Sequence, residues 1–544
     1  MTKASGTGRG STRLDYDVIV VGAGFAGIYM LYRLRELGLS ARVLEAGERI
    51  GGTWYWNRYP GARCDVQSFD YSYSFSDELQ QEWRWSERYA TQPEILSYLD
   101  HVVARFELDR DIQCQTRVTS AAFGASDNCW TLNTSTGELF SARYVVMATG
   151  CLSVPKSPGI PGLETFAGEA YHCADWPTDG VDLSGRRVGL IGTGSTGIQF
   201  STVAAERVEH LYVFQRSPNF SLPAQNRPLD EQFDRELKAD YSERRAAGRK
   251  TARGYPVPDI LGDRPALEVS ADQREEVFER VWRNGGPVFT SSFPDLLLDP
   301  VANRTAAEFV HAKIRAIVDG PDTARLLAPT DHPVGTRRPC VDTGYYQIFN
   351  RDNVTLVDVR RAPIETITPG GLRTAEGEFE LDTIVFATGF DAMTDALLRM
   401  DIIGIDGVTL RDKWADGPVS YLGLSMASFP NLFTVTGPGS PSVLTNMVAS
   451  IEQHVEWISG LLQHAAQNGI ERVEAVPEAE SSWVEHVGQA ADATLFPLAN
   501  SWWNGANVAG KPRVFMPYVG GLGRYGEVLE EIAAKGYDGF DLSN

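Results

Sequence analysis

The segment Tyr16-Asp-Val-Ile-Val-Val-Gly-Ala-Gly-Phe-Ala-Gly27 decides the fold of this chain of 544 residues. Its apolar, β-branched run Val18–Val21 is typical of a strand that is buried on both faces of a parallel sheet. The glycines Gly22, Gly24 and Gly27 follow with the spacing G-x-G-x-x-G. Glycine at these points allows a tight turn, the close approach of a pyrophosphate, and close packing of a helix on the strand.

The residues after this turn complete a dinucleotide-binding pattern. Ile28–Leu37 has helical periodicity, and its N-terminus would favour the negative charge of a pyrophosphate. Ala41–Leu44 is a second apolar strand, and Glu45 follows where a carboxylate would accept hydrogen bonds from ribose hydroxyls. A purely structural glycine-rich turn would account for the glycines, but not for the strand, helix and acid in this order. We therefore predict a dinucleotide site.

The same pattern occurs a second time. The apolar strand Arg187–Ile191 leads into another glycine-rich turn, whose candidate cofactor contacts are Gly192, Gly194, Ser195, Thr196 and Gly197. The next strand, Leu211–Phe214, is followed by Arg216 and Ser217 and not by an acid. Arginine pairs with a 2′-phosphate, whereas a carboxylate accepts from ribose hydroxyls. The first site is thus predicted to bind FAD and the second NADPH; the alternative is that Arg216 is an ordinary surface arginine.

These two units predict an α/β fold with two Rossmann-like dinucleotide-binding domains. Gln113–Ala122 and Asn128–Thr134 alternate apolar and polar residues, which predicts antiparallel strands within the first unit. The second unit is longer, and charged helical stretches fill the surplus at 229–328. We predict a flexible tail at 1–15, an FAD-binding domain at 16–150 and 390–544, an NADP-binding domain at 151–228 and 329–389, and a helical insertion at 229–328.

Composition restricts the partners and the compartment. The net charge of −21 argues against nucleic acid or an anionic membrane as a partner. The uncharged run Val18–Tyr32 is too short for a membrane span, and Met1–Asp15 lacks the apolar core of a signal peptide. The six cysteines lack C-x-x-C or zinc-ligand spacing, which favours reduced thiols, no metal site and a cytoplasmic protein. We expect a monomer or a weak homo-oligomer.

A segment rich in glycine and aromatic residues, Gly51–Asp65, follows the first unit's acid. It has no regular periodicity, which favours a functional loop lying on a flat aromatic ligand. The alternative is a small aromatic core beneath a loop. Gly52, Thr53 and Trp54 are its candidate FAD contacts.

The linker between the glycine motifs carries a family fingerprint, F-x-G-x-x-x-H-x-x-x-W-P. Its fixed positions are Phe166, Gly168, His172, Trp176 and Pro177. With it the chain resembles the type I Baeyer–Villiger monooxygenases, which are class B flavin monooxygenases. Further segments are similar to the phenylacetone and steroid monooxygenases in particular, so the likeness covers nearly the whole chain. We expect His172 to act as a hinge between domains and Trp176 to pack, neither of them in acid–base chemistry.

The resemblance implies a chemistry and its catalytic residues. NADPH reduces FAD, O₂ adds at flavin C4a, and the peroxyflavin anion attacks a ketone; the tetrahedral adduct rearranges to an ester or lactone. The peroxide must stay deprotonated, which requires a fixed cation, and arginine suits because it holds its proton at ordinary pH. The resemblance assigns this role to Arg338, with Asp65 as the carboxylate that positions it. The alternative is a salt bridge that only joins two domains.

Three more assignments rest on the resemblance. Arg337 stands where the family usually has a lysine that binds the 2′-phosphate; its charge would still select NADPH. Trp502 resembles a residue on a mobile loop that closes over NADP⁺, although a packing role near the C-terminus is the alternative. The substrate pocket is expected at Ser440, Pro441, Ser442, Val443 and Leu444.

Three other functions compete with this interpretation. An N- or S-oxygenating flavin monooxygenase uses the same cofactors, but has a different linker fingerprint and lacks the pair Asp65 and Arg338. A disulfide reductase would need a redox cysteine pair after the first unit. A non-catalytic flavoprotein would not need intact motifs at both nucleotide sites.

Overall fold

The computed structural model of this protein describes residues 14–544. The tail expected at 1–15 falls almost entirely on residues 1–13, which lie outside the described residues.

The strands are β1 (Tyr16–Val21), β2 (Ala41–Leu44), β3 (Ile112–Gln113), β4 (Val118–Gly124), β5 (Cys129–Thr134), β6 (Leu139–Met147), β7 (Glu169–His172), β8 (Arg187–Ile191), β9 (His210–Gln215), β10 (Ser221–Pro223), β11 (Cys340–Asp342), β12 (Val354–Asp358), β13 (Ile364–Thr368), β14 (Gly371–Thr374), β15 (Gly377–Glu380), β16 (Thr383–Phe386), β17 (Asp401–Ile403), β18 (Leu432–Thr434), β19 (Arg472–Ala475) and β20 (Phe540–Ser543). The α-helices are α1 (Phe25–Glu36), α2 (Thr53–Trp56), α3 (Asp77–Glu82), α4 (Gln92–Arg105), α5 (Ser195–Ala204), α6 (Glu231–Ala239), α7 (Tyr241–Arg249), α8 (Ala271–Asn284), α9 (Pro300–Ile317), α10 (Pro321–Leu327), α11 (Asp395–Leu398), α12 (Leu410–Lys413), α13 (Met447–Asn468), α14 (Pro477–Asp492) and α15 (Gly521–Ala534).

The first sheet contains the strand of the deciding segment. Its order is β17-β4-β5-β6-β1-β2-β3, and β18 also pairs with β6. Strands β1, β2, β3 and β18 are parallel to the second half of β6, whereas β5 pairs with its first half in antiparallel fashion. The expectation of one antiparallel strand over Gln113–Ala122 is wrong, because Gln115 has a left-handed φ of 54° and turns the chain between β3 and β4.

The second sheet is parallel throughout, in the order β12-β9-β8-β16-β7. The two glycine-rich turns follow β1 and β8, and both strands are buried in their sheets. The carboxyl ends of parallel strands are where open α/β sheets bind ligands. The α/β class with two Rossmann-like units is thereby confirmed.

The stretch 229–328, which is described throughout, contains the helices α6–α10 and no strand. Local signals start these helices: Ser270 and Gln273 form a capping box on α8, and Asp299 caps α9. Helix α7 is joined to the first unit by an ion pair between Arg244 and Asp70, with 2.7 Å between nitrogen and oxygen. The exact limits of the proposed domains stay a prediction.

Candidate active site

A cleft of about 1500 Å³ is lined by both glycine-rich turns, the loop Gly51–Asp65 and the C-terminal segment around Trp502. Among residues 14–544, no group of three His, Cys, Asp or Glu side chains is arranged to hold a metal ion. In the same residues no helix is both long and apolar enough to cross a membrane.

The first glycine-rich turn is shaped by the protein itself. Gly22 has a φ of 105°, and a Cβ atom there would lie 2.6 Å from the carbonyl oxygen of Ala148. A Cβ on Gly27 would lie 1.8 Å from the Gly22 oxygen, which shows how closely α1 packs on β1. Gly24 lines the cleft and lies against Gly52 of the following loop. No larger residue fits at Gly22 or at Gly27.

Glu45 lies at the end of β2 and is 4% exposed. Its two carboxylate oxygens accept hydrogen bonds from the backbone N–H groups of Ala23 (2.6 Å) and Gly47 (2.7 Å). Each oxygen keeps a further lone pair, and Glu45 lines the cleft. The carboxylate thus holds the glycine turn and can also accept from a ribose hydroxyl.

The loop after β2 supplies Gly52, Thr53 and Trp54, which all line the cleft. Trp54 is buried, and its indole N–H donates to the Tyr71 hydroxyl at 3.3 Å. The aromatic side chains of this loop therefore serve partly as a small core and partly as a cleft surface. That the loop lies on a flat aromatic ligand stays a prediction.

The second glycine-rich turn repeats the first. Gly192 has a φ of 115°, and a Cβ there would lie 2.4 Å from the Ala387 oxygen; a Cβ on Gly197 would lie 2.1 Å from the Gly192 oxygen. Gly194 differs, because a Cβ atom there would meet no atom within 4 Å. Ser195 and Thr196 line the cleft beside it. Open space beside a glycine at this point is room for a ligand.

Three polar residues flank this turn in the cleft. Arg216 is exposed and has no hydrogen-bond or ion-pair partner among residues 14–544. The Ser217 carbonyl accepts from the Thr193 hydroxyl at 3.0 Å. Arg337 is already engaged, since it donates to the Asn500 carbonyl (2.8 Å) and pairs with Asp331 (3.3 Å). Of the two candidate arginines, Arg216 is the one free to meet an anion.

Arg338 and Asp65 form a two-point contact in the cleft. The guanidinium donates from Nε to one carboxylate oxygen (2.7 Å) and from a terminal nitrogen to the other (2.6 Å). Its second terminal nitrogen donates to the Val443 carbonyl at 2.8 Å. Burial acts to lower the pKa of Arg338, but the charge and hydrogen bonds of Asp65 outweigh it and raise that pKa. Arg338 therefore stays charged.

The five residues expected to form the substrate pocket are not equivalent. Val443 lines the cleft. The others do not line it: Ser440, Pro441 and Ser442 are buried in the protein and Leu444 is half-buried outside the cleft surface. The segment reaches the cleft through Val443, whose carbonyl also holds Arg338.

The fingerprint lies along β7, at the edge of the second sheet. His172 Nδ1 accepts from the Ala174 N–H (3.1 Å), so its Nε2 donates to the Thr388 hydroxyl (3.1 Å). Burial lowers the pKa of His172, which favours this neutral form. Trp176 is buried against Phe200, with ring centroids 5.6 Å apart.

The other fingerprint residues are also structural in their contacts. Phe166 packs in an apolar cluster of the second sheet, Gly168 approaches the Asp382 carbonyl, and Pro177 is half-buried. Neither His172 nor Trp176 lines the cleft.

Sequence reasoning missed several residues of the cleft. Lys156, Asn219 and Asp331 all line it. The Asn219 side-chain NH₂ donates to the Arg338 carbonyl at 3.2 Å, and Asp331 holds Arg337. None of these three belongs to a motif, and Lys156 and Asn219 come into place through contacts with residues far away in the chain.

Comparison with known proteins assigns the family. The model of the pyridine nucleotide-disulphide oxidoreductase family matches residues 19–252. The phenazine N-monooxygenase PhzNO1 of Lysobacter antibioticus is 44% identical over 536 residues, covering 97% of each chain. A Baeyer–Villiger monooxygenase of Pseudooceanicola batsensis is 41% identical over 527 residues, covering 96% of this chain and 95% of its own.

Solved structures of monooxygenases are also similar to this chain. An oxidised steroid monooxygenase bound to NADP superposes with a TM-score of 0.93 and 51% identity, covering 97% of this chain and 99% of its own. The chain belongs to the flavin-dependent Baeyer–Villiger monooxygenases. A further solved relative, OTEMO in complex with FAD and NADP, is 39% identical with a TM-score of 0.94, covering 98% and 100% of the two chains.

Membership fixes the cofactors and the reaction class. The enzyme is an NADPH-dependent flavoprotein that inserts one oxygen atom of O₂ beside a ketone carbonyl. Despite the name of the matching family model, no disulfide links its six cysteines. Burial raises the pKa of the Cys151 thiol to about 11 and that of Cys340 to about 12, so these thiols are poor nucleophiles.

Proposed function

We propose that this enzyme oxidises an apolar ketone and that Arg338, positioned by Asp65, is its catalytic residue. The observation that carries the proposal is the two-point contact between these side chains in the cleft that also contains both glycine-rich turns. A bidentate arginine–carboxylate pair fixes the direction of the guanidinium as well as its charge.

The residues of the cleft fit both cofactors. The turn at Gly22 and Gly24, with Glu45 and the loop Gly52–Trp54, would hold FAD. The open space at Gly194 and the unpaired Arg216 would hold NADPH. When bound and reduced, FAD supplies the activation of O₂.

Arg338 would stabilise an oxyanion near the substrate carbonyl. An arginine has five N–H groups, and three of those of Arg338 are engaged with Asp65 and Val443, which leaves two for an anion. Opposite charges about 4 Å apart at an effective dielectric constant of about 20 attract by about 4 kcal/mol. If all of it acts in the transition state, this is about three powers of ten in rate. The raised pKa keeps Arg338 from protonating the anion.

An apolar surface beside this arginine supports an apolar substrate. Residues that both line the cleft and belong to one hydrophobic cluster are Cys151, Leu152, Ala392, Val443, Met447 and Trp502. Such a surface excludes water, and low polarity strengthens the field of the arginine. We therefore propose a ketone without a charged group near its carbonyl.

N-oxygenation is the second candidate, and the 44% identity to a phenazine N-monooxygenase is the observation in its favour. A ring nitrogen gives electrons to the oxygen it receives, whereas a ketone carbon accepts them from an attacking anion. A fixed cation that keeps its proton stabilises an attacking anion. A ketone carbon is the kind of substrate that such an anion attacks. Arg338 and Asp65 therefore favour insertion of an oxygen atom between the ketone carbonyl carbon and its neighbouring carbon.

The test is a substrate panel on the purified holoenzyme. Linear, aryl, monocyclic and steroidal ketones, and a phenazine as the heteroatom arm, are supplied with NADPH, and products are scored by mass and by ester or lactone structure. We expect an ester or lactone from at least one apolar ketone. An N-oxide from the phenazine with no ester from any ketone would overturn the proposal.

We further propose a cytoplasmic monomer or weak homo-oligomer. The net charge of −21 and the six cysteines without disulfides support it. Sedimentation of the purified enzyme at micromolar concentration tests the assembly.

A further inference from the structure

Lys156 is a cleft residue for which the oxidation of a ketone needs no role. Its backbone is held on both sides: its N–H donates to the Gly389 carbonyl (2.9 Å), and its carbonyl accepts from the Thr388 hydroxyl (3.0 Å). The same Thr388 hydroxyl accepts from His172 of the fingerprint. The position of the lysine is thus fixed by the end of β16.

The side chain of Lys156 contacts the C-terminal segment. Its Nζ donates to the backbone carbonyl of Asn507, whose own side-chain NH₂ donates to the Phe390 carbonyl at 2.8 Å. Asn507 belongs to the segment 501–513, in which Trp502 and Arg513 also line the cleft. Lys156 therefore joins this segment to the linker between the two units.

The charge around Lys156 is not balanced by a bonded carboxylate. Among residues 14–544, neither Lys156 nor Arg216 is paired with an acid, and both line the cleft. Asp391 is the acid whose charge acts to raise the pKa of Lys156, and its carboxylate is bonded to Lys511. Burial lowers the pKa of Lys156, and the like charge of Arg216 lowers it further. Two cations that line one cleft without a carboxylate partner among the described residues are both stabilised when a dianion binds between them.

We propose that Lys156 is a second cationic contact for the 2′-phosphate of NADP(H), beside Arg216, and that it couples this phosphate to the segment 501–513. The proposal rests on the use of NADPH and not on the ketone or on Arg338. The ligand chemistry is a phosphate monoester on a ribose. Because Nζ has three N–H donors, it can bind the phosphate and keep its bond to the Asn507 carbonyl.

The first test is binding of 2′,5′-ADP and of ADP to the FAD-loaded enzyme, measured by titration calorimetry. For Lys156→Gln we expect the affinity for 2′,5′-ADP to fall about tenfold, the loss of one charge-assisted hydrogen bond, with ADP changed less than about twofold. Lys156→Arg should restore most of the affinity. Lys535→Gln removes a charge at an exposed helix end and is the matched control. Equal losses for both nucleotides, or none for 2′,5′-ADP, would overturn the phosphate contact.

The second test follows hydrogen exchange in the segment 501–513. In the wild type we expect NADP⁺ to protect this segment more than NAD⁺ does, both at saturation. In Lys156→Gln that difference should disappear, whereas in Arg216→Gln, which leaves the Lys156–Asn507 bond, part of it should remain. A difference of wild-type size in Lys156→Gln would overturn the coupling. An unchanged flavin absorption spectrum establishes that the variants are folded, and neither measurement depends on ester formation.

Discussion

Asp65 and Arg338 are 273 positions apart in the chain, yet the carboxylate accepts two hydrogen bonds from the guanidinium, at 2.7 and 2.6 Å. The acid belongs to the loop of the first unit and the arginine follows the helices between β10 and β11. The side chains keep 18% and 30% of their surface exposed, so the pair borders the cleft and is not sealed in the core. The contact therefore depends on how the two units lie against each other.

Replacing Arg338 by alanine tests its proposed role in the reaction. We expect the variant to bind FAD and be reduced by NADPH at a normal rate, while ester formation falls by about three powers of ten. Oxygen consumed should appear as hydrogen peroxide, because the anion loses its stabilising cation. Arg513→Ala is the matched control, since Arg513 also lines the cleft but is bonded to Asn500. Ester formation within tenfold of the wild type would remove Arg338 from the mechanism.

Asp65→Asn separates positioning from simple stabilisation. The amide keeps the size of the side chain but loses the charge that orients Arg338. We expect the free energy of unfolding to fall by only about 1 kcal/mol, because both partners are partly exposed, while turnover falls at least about a hundredfold. Denaturant unfolding and steady-state rates measure the two quantities. A stable variant with normal turnover would favour the alternative of a salt bridge that only joins the units.

Two glycines of the second turn give a prediction about ligand space. A methyl group on Gly194 meets no atom within 4 Å, whereas one on Gly192 would lie 2.4 Å from a carbonyl oxygen at a φ of 115°. We expect Gly194→Ala to change the free energy of unfolding by less than about 0.5 kcal/mol but to weaken NADPH binding. Gly192→Ala should lower the stability by more than about 2 kcal/mol. Normal NADPH affinity in Gly194→Ala would mean that the cofactor does not approach this glycine.

The buried His454 predicts how stability depends on pH. Its ring accepts a hydrogen bond from the Thr436 N–H (2.9 Å), and burial lowers its pKa from about 6.5 to about 3. Between these values the unfolded chain binds a proton that the folded chain does not, so stability falls as the pH falls. The expected slope is about 1.4 kcal/mol per pH unit from this residue.

Denaturant unfolding of wild type and His454→Asn between pH 7 and pH 4 checks this slope. The variant should be less stable at pH 7 but should lose less stability on acidification. His464→Asn, at a half-exposed position, provides the reference for a histidine exchange as such. Parallel curves for wild type and His454→Asn would contradict the assignment to this residue.

The local patterns of the chain were sufficient for its framework. The strand Ala41–Leu44 and the strand Arg187–Ile191 have the predicted limits, and both glycine-rich turns follow their strands. Such elements are determined by residues that are close in sequence. The apolar run, the turn glycine and the beginning of the helix all lie within one short stretch of the chain. The wrong prediction of one strand through Gln115 has the same origin. The alternation of apolar and polar residues continues through Gln115, but its left-handed backbone conformation is imposed only by the folded loop.

The sequence by itself thus determined two Rossmann-like units, the two nucleotide sites and, through motif resemblance, the candidate pair Asp65 and Arg338. Only the tertiary structure decided that Val443 lines the cleft while its neighbours do not, that Arg337 is engaged with Asp331, and that Lys156 contacts Asn507 from 351 positions away. The physical reason is that a motif encodes bonds within a few residues of chain. The surface offered to a ligand is instead set by packing between distant segments, which no local pattern contains.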